Sequence, residues 1–425
     1  MTAANTAYLP RIADKTLADA LRASGAVSIE GAKWCGKTYT ASQQAASSLY
    51  LQDPDNTAAY KLAADTQPSL LLQGDTPRLL DEWQTAPVLW DAVRFAVDQR
   101  QKQGQFILTD SAVMTTEDIQ HTGTGRISRM LMRTMSLYES GESTGEISLK
   151  SLFAKNASVS AISSLTVADI AFALARGGWP TAVTLSDTGV ALQQATNYVD
   201  AVVQSDVNRI DGVEKNPERV RALMRSLARN TSTMAKISTL QADMAAHDSS
   251  LSEVTVSSYI NALRRIFVVE DLPAWSPALR SKTAIRTSAK RHFVDPSVAT
   301  AILGMSPDRL LNDFETFGFL FESLCIRDLR IYAEAIGGKV SHYRDKGGLE
   351  ADAIVHLRDG SWGAVEIKMG ANEIDEAAEN LLDLCNKVDE DKMQEPSFLM
   401  VLTAQKLAYQ RADGVFVVPI GSLGP

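Results

Sequence analysis

The stretch "GAKWCGKT" at residues 31–38 follows directly on the apolar run "AVSIE" at 26–30. Together they constrain the fold more than any other feature of the chain. The pattern is G-x-x-x-x-G-K-[ST], a glycine-rich turn whose backbone N–H groups cradle phosphates at a helix N-terminus. It works only between a buried strand and a helix, and the good helix formers "ASQQAASS" follow it. In this reading the residues Gly31, Ala32, Lys33, Trp34, Cys35, Gly36, Lys37, Thr38 and Tyr39 surround a nucleotide. Lys37 reaches the β- and γ-phosphates, and Thr38 ligates Mg²⁺. Trp34 is expected to point away from the phosphates. Cys35, inside the loop, is a candidate for redox-sensitive ATP binding.

A phosphate loop hydrolyses ATP only with a carboxylate at the tip of another buried strand, where it holds Mg²⁺. "RLLDEWQ" at 78–84 supplies Asp81 for the metal and Glu82 as the base that orients water. "FILTD" at 106–110 reads as the next strand, with Thr109 or Asp110 at its tip as a γ-phosphate sensor. Arg126, Arg129 and Arg133 are arginine-finger candidates, Arg126 first because glycines flank it. "LYLQ" at 49–52 completes a set of short apolar runs, with helices expected at 11–23 and 89–102. Strands alternating with helices imply a parallel, doubly wound sheet.

The remaining sequence must form more domains, because 425 residues exceed one ordinary core. The formal net charge of -9 excludes a chain-wide nucleic-acid coat but not a local basic patch. Three cysteines, Cys35, Cys325 and Cys385, suit neither a disulfide framework nor a zinc knuckle, and the five histidines have no metal-ligand spacing. With no secretory layout at the N-terminus and no long apolar run, a cytoplasmic protein without a membrane span is expected.

The motifs "GAKWCGKT", "PRLLDEWQ", "LWDAVR", "GQFILTDSA", "GRISRMLMRTMSLYESGES", "GGWP", "RHFVDP", "FETFGFLFESL" and "YRDKGGLEADAIV" resemble bacterial AAA-type ATPases with a C-terminal domain of unknown function. The resemblance spans nearly the whole chain. It implies an AAA+ core, a winged-helix segment and a C-terminal fold similar to PD-(D/E)xK nucleases. The expected organisation is α/β: an AAA+ parallel sheet over 1–165, a helical lid over 166–230, a winged-helix-like segment over 231–299 and a nuclease-like domain over 300–425. One departure stands out. The family usually has Gly-Ser-Ala after "FILT", and here the residues are Asp110, Ser111 and Ala112. A carboxylate at that place would repel the γ-phosphate.

In the middle, "PERVRALMRSLARN" at 217–230 sets Arg221, Arg225 and Arg229 on one helical stripe. A later helix, from about Glu253 or Thr255, should bury Val256, Tyr259, Ile260 and Leu263. It would present Thr255, Ser257, Ser258, Asn261 and Arg264 outward, with "LRSKTAIRTSAKR" at 279–291 as a basic wing. Residues 205–295 hold 14 lysines and arginines against 10 acids, a local surplus inside an acidic chain. Nucleic acid and protein contact suit this segment equally.

Toward the C-terminus, Asp352, Glu366 and Lys368 match the carboxylates and lysine of PD-(D/E)xK chemistry, with Asp352 and Glu366 as Mg²⁺ ligands and Glu322 as an additional one. Glu350 competes with Asp352. Strand register decides whether the set can form. A two-residue turn at Asp359-Gly360 would put Asp352 and Glu366 on opposite faces. A three-residue loop, Arg358-Asp359-Gly360, puts them opposite one another and needs Gly360 left-handed. The three-residue loop is expected.

The sequence therefore predicts a Mg²⁺-dependent ATPase coupled to a winged-helix and nuclease-like module. The expected cofactors are ATP and Mg²⁺. DNA is the candidate partner through 205–295 and 342–370, and a homo-oligomer is a further candidate. Two alternatives stay open: a regulatory or scaffold protein that binds ATP with negligible turnover, and an ATP-gated metal-dependent nuclease.

Overall fold

The computed structural model describes residues 8–112, 121–154, 157–207, 215–245, 251–275, 288–388 and 394–425. The chain divides into two compact units, Met1–Thr134 with Leu263–Phe267, and Met135–Ala262 with Val268–Pro425.

The first unit is built on a five-stranded sheet in the order β2-β3-β4-β1-β5. Its strands are β1 (Ala26–Glu30), β2 (Ser47–Tyr50), β3 (Arg78–Asp81), β4 (Phe106–Asp110) and β5 (Ile127–Leu131). Every pairing is parallel. β4 is buried along its whole length, as a strand covered on both faces must be. Helices Ile12–Ala23 and Val88–Arg100 fall where the apolar periodicity put them. β2 begins and ends two residues before the run "LYLQ", because the chain turns at Leu51 and Gln52. β3 stops at Asp81 because Glu82 takes a left-handed backbone, φ 55°. That turn ends the strand with the Asp81 carboxylate at its tip.

Helices run from 167 to 265, among them Val167–Arg176, Thr188–Ala201, Pro217–Arg229, Ile237–Ala245 and Glu253–Arg265, all in the second unit except the last three residues of Glu253–Arg265. An antiparallel pair follows, β8 (Val269–Leu272) with β9 (Lys290–Phe293). In helix Glu253–Arg265 the residues Val256, Tyr259, Ile260 and Leu263 are buried as expected. Most of the basic wing, residues 279–287, lies outside the described residues. After β9 the chain runs through three helices in succession, Pro296–Leu303, Pro307–Leu311 and Phe314–Ala335. Gly304 in the left-handed region ends the first piece, and Pro307 starts the second.

The C-terminal sheet has seven strands in the order β10-β11-β12-β13-β15-β14-β7. These are β7 (Ala161–Ile162), β10 (Lys339–Arg344), β11 (Glu350–His356), β12 (Trp362–Lys368), β13 (Phe398–Thr403), β14 (Leu407–Gln410) and β15 (Phe416–Pro419). β10, β11 and β12 run antiparallel, and β12, β13 and β15 parallel. Two short strands come from the stretch assigned by sequence to the first domain. β7 forms the sheet edge beside β14, and β6 (Ile147–Ser148) pairs in parallel with β16 (Leu423–Gly424). Two residues carry too little hydrophobic pattern to be read as a strand.

A buried ion network ties four segments of this unit together. Arg327 donates to Asp295 at 2.9 Å and, through Nε, to Asp328 at 2.9 Å. Asp295 also accepts from the Gly178 N–H at 2.9 Å, and Asp328 from the Leu137 N–H at 3.0 Å. Gly178 has no room for a side chain, since a Cβ there would lie 2.0 Å from the Met135 carbonyl oxygen. The sequence motifs "SLYES", "GGWP" and "HFVDP" thus meet at one arginine.

Candidate functional site

The phosphate loop leaves the interior strand β1 and enters helix Lys37–Gln44 at Gly36, φ 104°. Gly31 is needed at the other end, because a Cβ there would lie 2.2 Å from the Met132 carbonyl oxygen. Arg11 braces the loop, donating to the Cys35 carbonyl at 2.8 Å and the Arg133 carbonyl at 2.9 Å. Ala32 and Cys35 are buried, Lys33 is half-buried, and Tyr39 is exposed. Trp34 is half-exposed with a left-handed φ of 67°, which a bulky residue adopts only when its surroundings impose it. The Lys37 ammonium is buried and donates to the Gly31 and Ala32 carbonyls, each at 2.9 Å.

The sheet order places β4 between β1 and β3, so the three strand tips converge on one polar cluster. Thr38 and Thr109 both donate to Asp81 Oδ1 at 2.7 Å. The Glu82 N–H donates to the Thr109 hydroxyl at 3.1 Å. Glu82 Oε2 accepts from Ser111 at 3.2 Å and from Gln84. Hydroxyl and carboxylate oxygens at Thr38 and Asp81 form a hard-oxygen donor set that suits Mg²⁺. The buried ammonium of Lys37 beside the loop suits phosphate.

Asp110 is buried, and the Trp83 indole donates to its Oδ2 at 3.0 Å while Oδ1 has no partner. Burial and the neighbouring Glu30 charge push its carboxyl up to about 7. It therefore holds its proton more readily than an ordinary aspartate, which weakens the repulsion expected from a carboxylate at this place. The finger candidates are engaged inside the first unit. Arg126 pairs with Asp98 at 2.7 Å. Arg129 pairs with Glu30 at 2.9 Å and lies over the Trp90 ring. Cys35 is fully buried, its thiol turned to the Met132 carbonyl at 3.4 Å. The redox role expected for it is corrected on that ground, since an inaccessible thiol is not open to oxidants.

A second cluster lies in the C-terminal sheet. The pairing of Ala353 with Val365 through His356 with Trp362, closed by the Leu357 N–H to Ser361 O, leaves Arg358, Asp359 and Gly360 as the loop. Gly360 has φ 92°, as the three-residue loop requires. Asp352, Glu366 and Lys368 consequently meet: Lys368 lies 3.0 Å from Glu366 and 4.0 Å from Asp352. Glu350 pairs instead with Arg344 at 2.8 Å. The sequence gives no sign of the next member. Lys290 of β9 is buried and donates to Glu322 at 2.9 Å and to Asp352 at 3.2 Å.

Electrostatics sort these groups. Burial and the Asp352 charge push Glu322 and Glu366 each up to about 8. Asp352 is held below its ordinary range: burial works against its charge, but Lys290, Lys368 and the Ile367 N–H outweigh it. Burial likewise opposes the Lys290 charge, yet Glu322 and Asp352 raise its pKa. A carboxyl that gains a proton on folding favours the folded state most at low pH. For Glu366 that contribution is complete below its ordinary value of 4.5 and lost as pH rises through about 8. Thermal melts should therefore show stability falling from pH 5 to 8.5, with a shallower slope in Glu366→Gln. An unchanged slope would show that Glu366 carries no such proton.

The metal set expected at Asp352 and Glu366 does not fit these residues as they stand. Asp352 Oδ1 is taken by Lys290, Asp352 Oδ2 by the Ile367 N–H at 2.9 Å, and Glu366 Oε2 by Lys368. Among the described residues no three histidine, cysteine or acidic side chains are placed to hold a metal ion. Nor is any described helix long and apolar enough to cross a membrane.

Comparison with known proteins bears on the nucleotide-binding domain. An AAA domain family (AAA_14) matches residues 23–141, and two domains of unknown function match 167–309 (DUF8612) and 317–423 (DUF4143). No curated protein matches the chain. Among solved structures, the Walker-type ATPase PABY2304 of Pyrococcus abyssi is similar at 13% identity and a TM-score of 0.42, covering 68% of this chain and 94% of that one. Drosophila ORC bound to DNA aligns at 13% identity and a TM-score of 0.21, covering 69% of this chain and 94% of that one. Both likenesses are loose. The glycine loop, the Asp81 strand tip and the matched families agree: the chain carries an AAA-type P-loop ATPase domain, followed by DUF8612 and DUF4143.

Proposed function

We propose that the chain is a Mg²⁺-dependent ATPase whose nucleotide state governs a winged-helix and nuclease-like module acting on DNA. The observation that carries the ATPase part is the convergence of Thr38 and Thr109 on one oxygen of Asp81, at 2.7 Å each. It joins the loop, the metal carboxylate and the sensor strand at the sheet's C-terminal edge, where open parallel sheets bind ligands. Lys37 holds the phosphates, and Thr38 and Asp81 hold Mg²⁺. A Mg²⁺ ion held by Thr38 and Asp81 would supply positive charge against the charge that develops on the phosphates. Glu82 orients the attacking water, in reach of the Ser111 and Gln84 groups that now fix its carboxylate. Thr109 reports the γ-phosphate through its bonds to Asp81 and to the Glu82 N–H. Arg126 and Arg129 serve as fingers only by leaving Asp98 and Glu30.

The DNA reading rests on a cleft of about 690 Å³ in the second unit, lined by Arg221, Arg225 and Arg229. These arginines lie one per turn along helix Pro217–Arg229, about 6 Å apart. Arg221 pairs with Asp200 at 2.7 Å. Such a row suits the repeating charge of a nucleic-acid backbone.

Steady-state phosphate release, with and without duplex DNA, tests both parts. Glu82→Gln should bind ATP as the wild type does and lose turnover by about 10²-fold or more. Turnover close to wild type in this variant would refute the base assignment. Negligible release by the wild type under every condition would favour the regulatory alternative. A rate and mobility indifferent to DNA at low salt would remove DNA as partner.

A further inference from the structure

The C-terminal cluster resembles a metal site in its carboxylates but not in its cation. A divalent ion joins carboxylates from different elements through their oxygens. Here the Lys290 ammonium does that, bridging Glu322 of helix Phe314–Ala335 and Asp352 of β11 at 2.9 and 3.2 Å. It is a deliberate placement rather than a stray surface contact, because Lys290 is 6% exposed. Its backbone is pinned as well. Lys290 pairs with Leu272 across the β8–β9 ladder. The segment after β8 is stitched to β10 through Trp275 N–H to His342 O at 2.7 Å and His342 N–H to Pro273 O at 2.9 Å. Two buried histidines lie near the ammonium. Burial and the Lys290 charge push His342 down to about 4; burial, Arg330 and Lys290 push His292 well below its ordinary value. Neither adds a positive charge at neutral pH.

We propose that Lys290 is a resident counter-cation in the place of a divalent ion: with β9 docked, Glu322, Asp352 and Glu366 are held apart from any metal-holding arrangement, and once Lys290 is withdrawn their freed carboxylates close on a divalent cation. The charge balance follows from the geometry. The two ammoniums of Lys290 and Lys368 face three carboxyl groups, which leaves little net negative charge to draw a dication from water. An ammonium cannot stand in for the metal chemically. It neither activates a bound water at neutral pH nor clamps a phosphoryl oxygen as a Lewis acid does. The module as folded therefore holds nuclease-like residues without the means to cleave a phosphodiester, and its ion pairs act as a latch between β9 and the sheet. This inference goes beyond the ATPase reading and does not depend on it.

The test is Mn²⁺ binding to the full chain without nucleotide, by calorimetry and by the free-ion electron paramagnetic resonance signal. An Asp81→Asn background keeps the phosphate-loop site out of the measurement. The parent should bind no Mn²⁺ in a manner that Asp352→Asn abolishes. Lys290→Ala and Lys290→Met should each gain one Mn²⁺ per chain, at least about tenfold tighter than any binding by the parent. Adding Asp352→Asn should remove the gain, and Lys290→Arg should remain silent. An Asp352-dependent Mn²⁺ site already present in the parent would overturn the proposal, as would folded Lys290 variants that gain nothing. Should both neutral variants fail to fold, the parent compared with its Asp352→Asn partner still decides between a metal site and a lysine-filled one. ATP turnover, measured separately, fails or succeeds without reference to these results.

Discussion

Lys37→Ala should abolish nucleotide binding. The side chain is the only long cation of the loop that is buried, and it now donates to the Gly31 and Ala32 carbonyls. Both bonds are available for exchange with phosphate oxygens, which accept more strongly because they are charged. Hydrogen bonds to charged groups are worth about 1.5–3 kcal/mol each, so losing two weakens binding by about 10²-fold or more. Fluorescent ATP-analogue titration reads the effect, and a melting curve checks that the fold survives. Thr38→Ala gives the control in the other direction: nucleotide should still bind, with the Mg²⁺ requirement largely gone. ATP affinity within threefold of wild type in Lys37→Ala would mean that the loop does not hold phosphate.

The second large effect is structural. Arg327→Met should destabilise the second unit by about 3–5 kcal/mol, the range for removing one partner of a buried pair. The guanidinium is 3% exposed, and both its carboxylate partners are fully buried. Without it, Asp295 and Asp328 must either stay charged in a low-dielectric interior or take up protons. Burial has already pushed Asp328 up to about 6 despite Arg327. Each aspartate also holds a backbone N–H, at Gly178 and at Leu137, so the loss spreads to two distant turns. Urea unfolding would measure the drop, and Arg327→Lys should recover only part of it, since one ammonium cannot match the planar fork. A midpoint indistinguishable from wild type would show the network to be neutral.

Much of the nucleotide site was legible because its chemistry is local in sequence. A strand, a glycine turn and a helix occupy adjacent residues, and Asp81 ends an apolar run that can be read directly. The Asp352–Glu366 register was legible for a similar reason, through a single glycine at 360. What escaped was assembled from distance. Nothing near Lys290 marks it as the cation of a cluster whose other members lie on three later elements. The Arg327 network joins three motifs that look like separate sequence signatures. Ser111 reaches Glu82 only because β4 lies beside β3, an order that apolar runs do not encode. The burial of Cys35 against Met132 escaped as well, because a loop pattern does not say which of its side chains face inward.

The two short strands β6 and β7 have a consequence for how such a chain is made and divided. Each belongs to a sheet whose other strands are translated hundreds of residues later. During synthesis they wait unpaired, and the sheet gains its last edge only when the end of the chain returns to them, a topology of high contact order that folds slowly. Excising residues 317–423 as a free-standing domain would remove β7 from β14 and take β6 and β16 apart. The bare edge of β14 would then be open to strands from other copies, the usual route to aggregation. A soluble fragment of this region should begin near residue 135 rather than at the boundary that the matched families suggest.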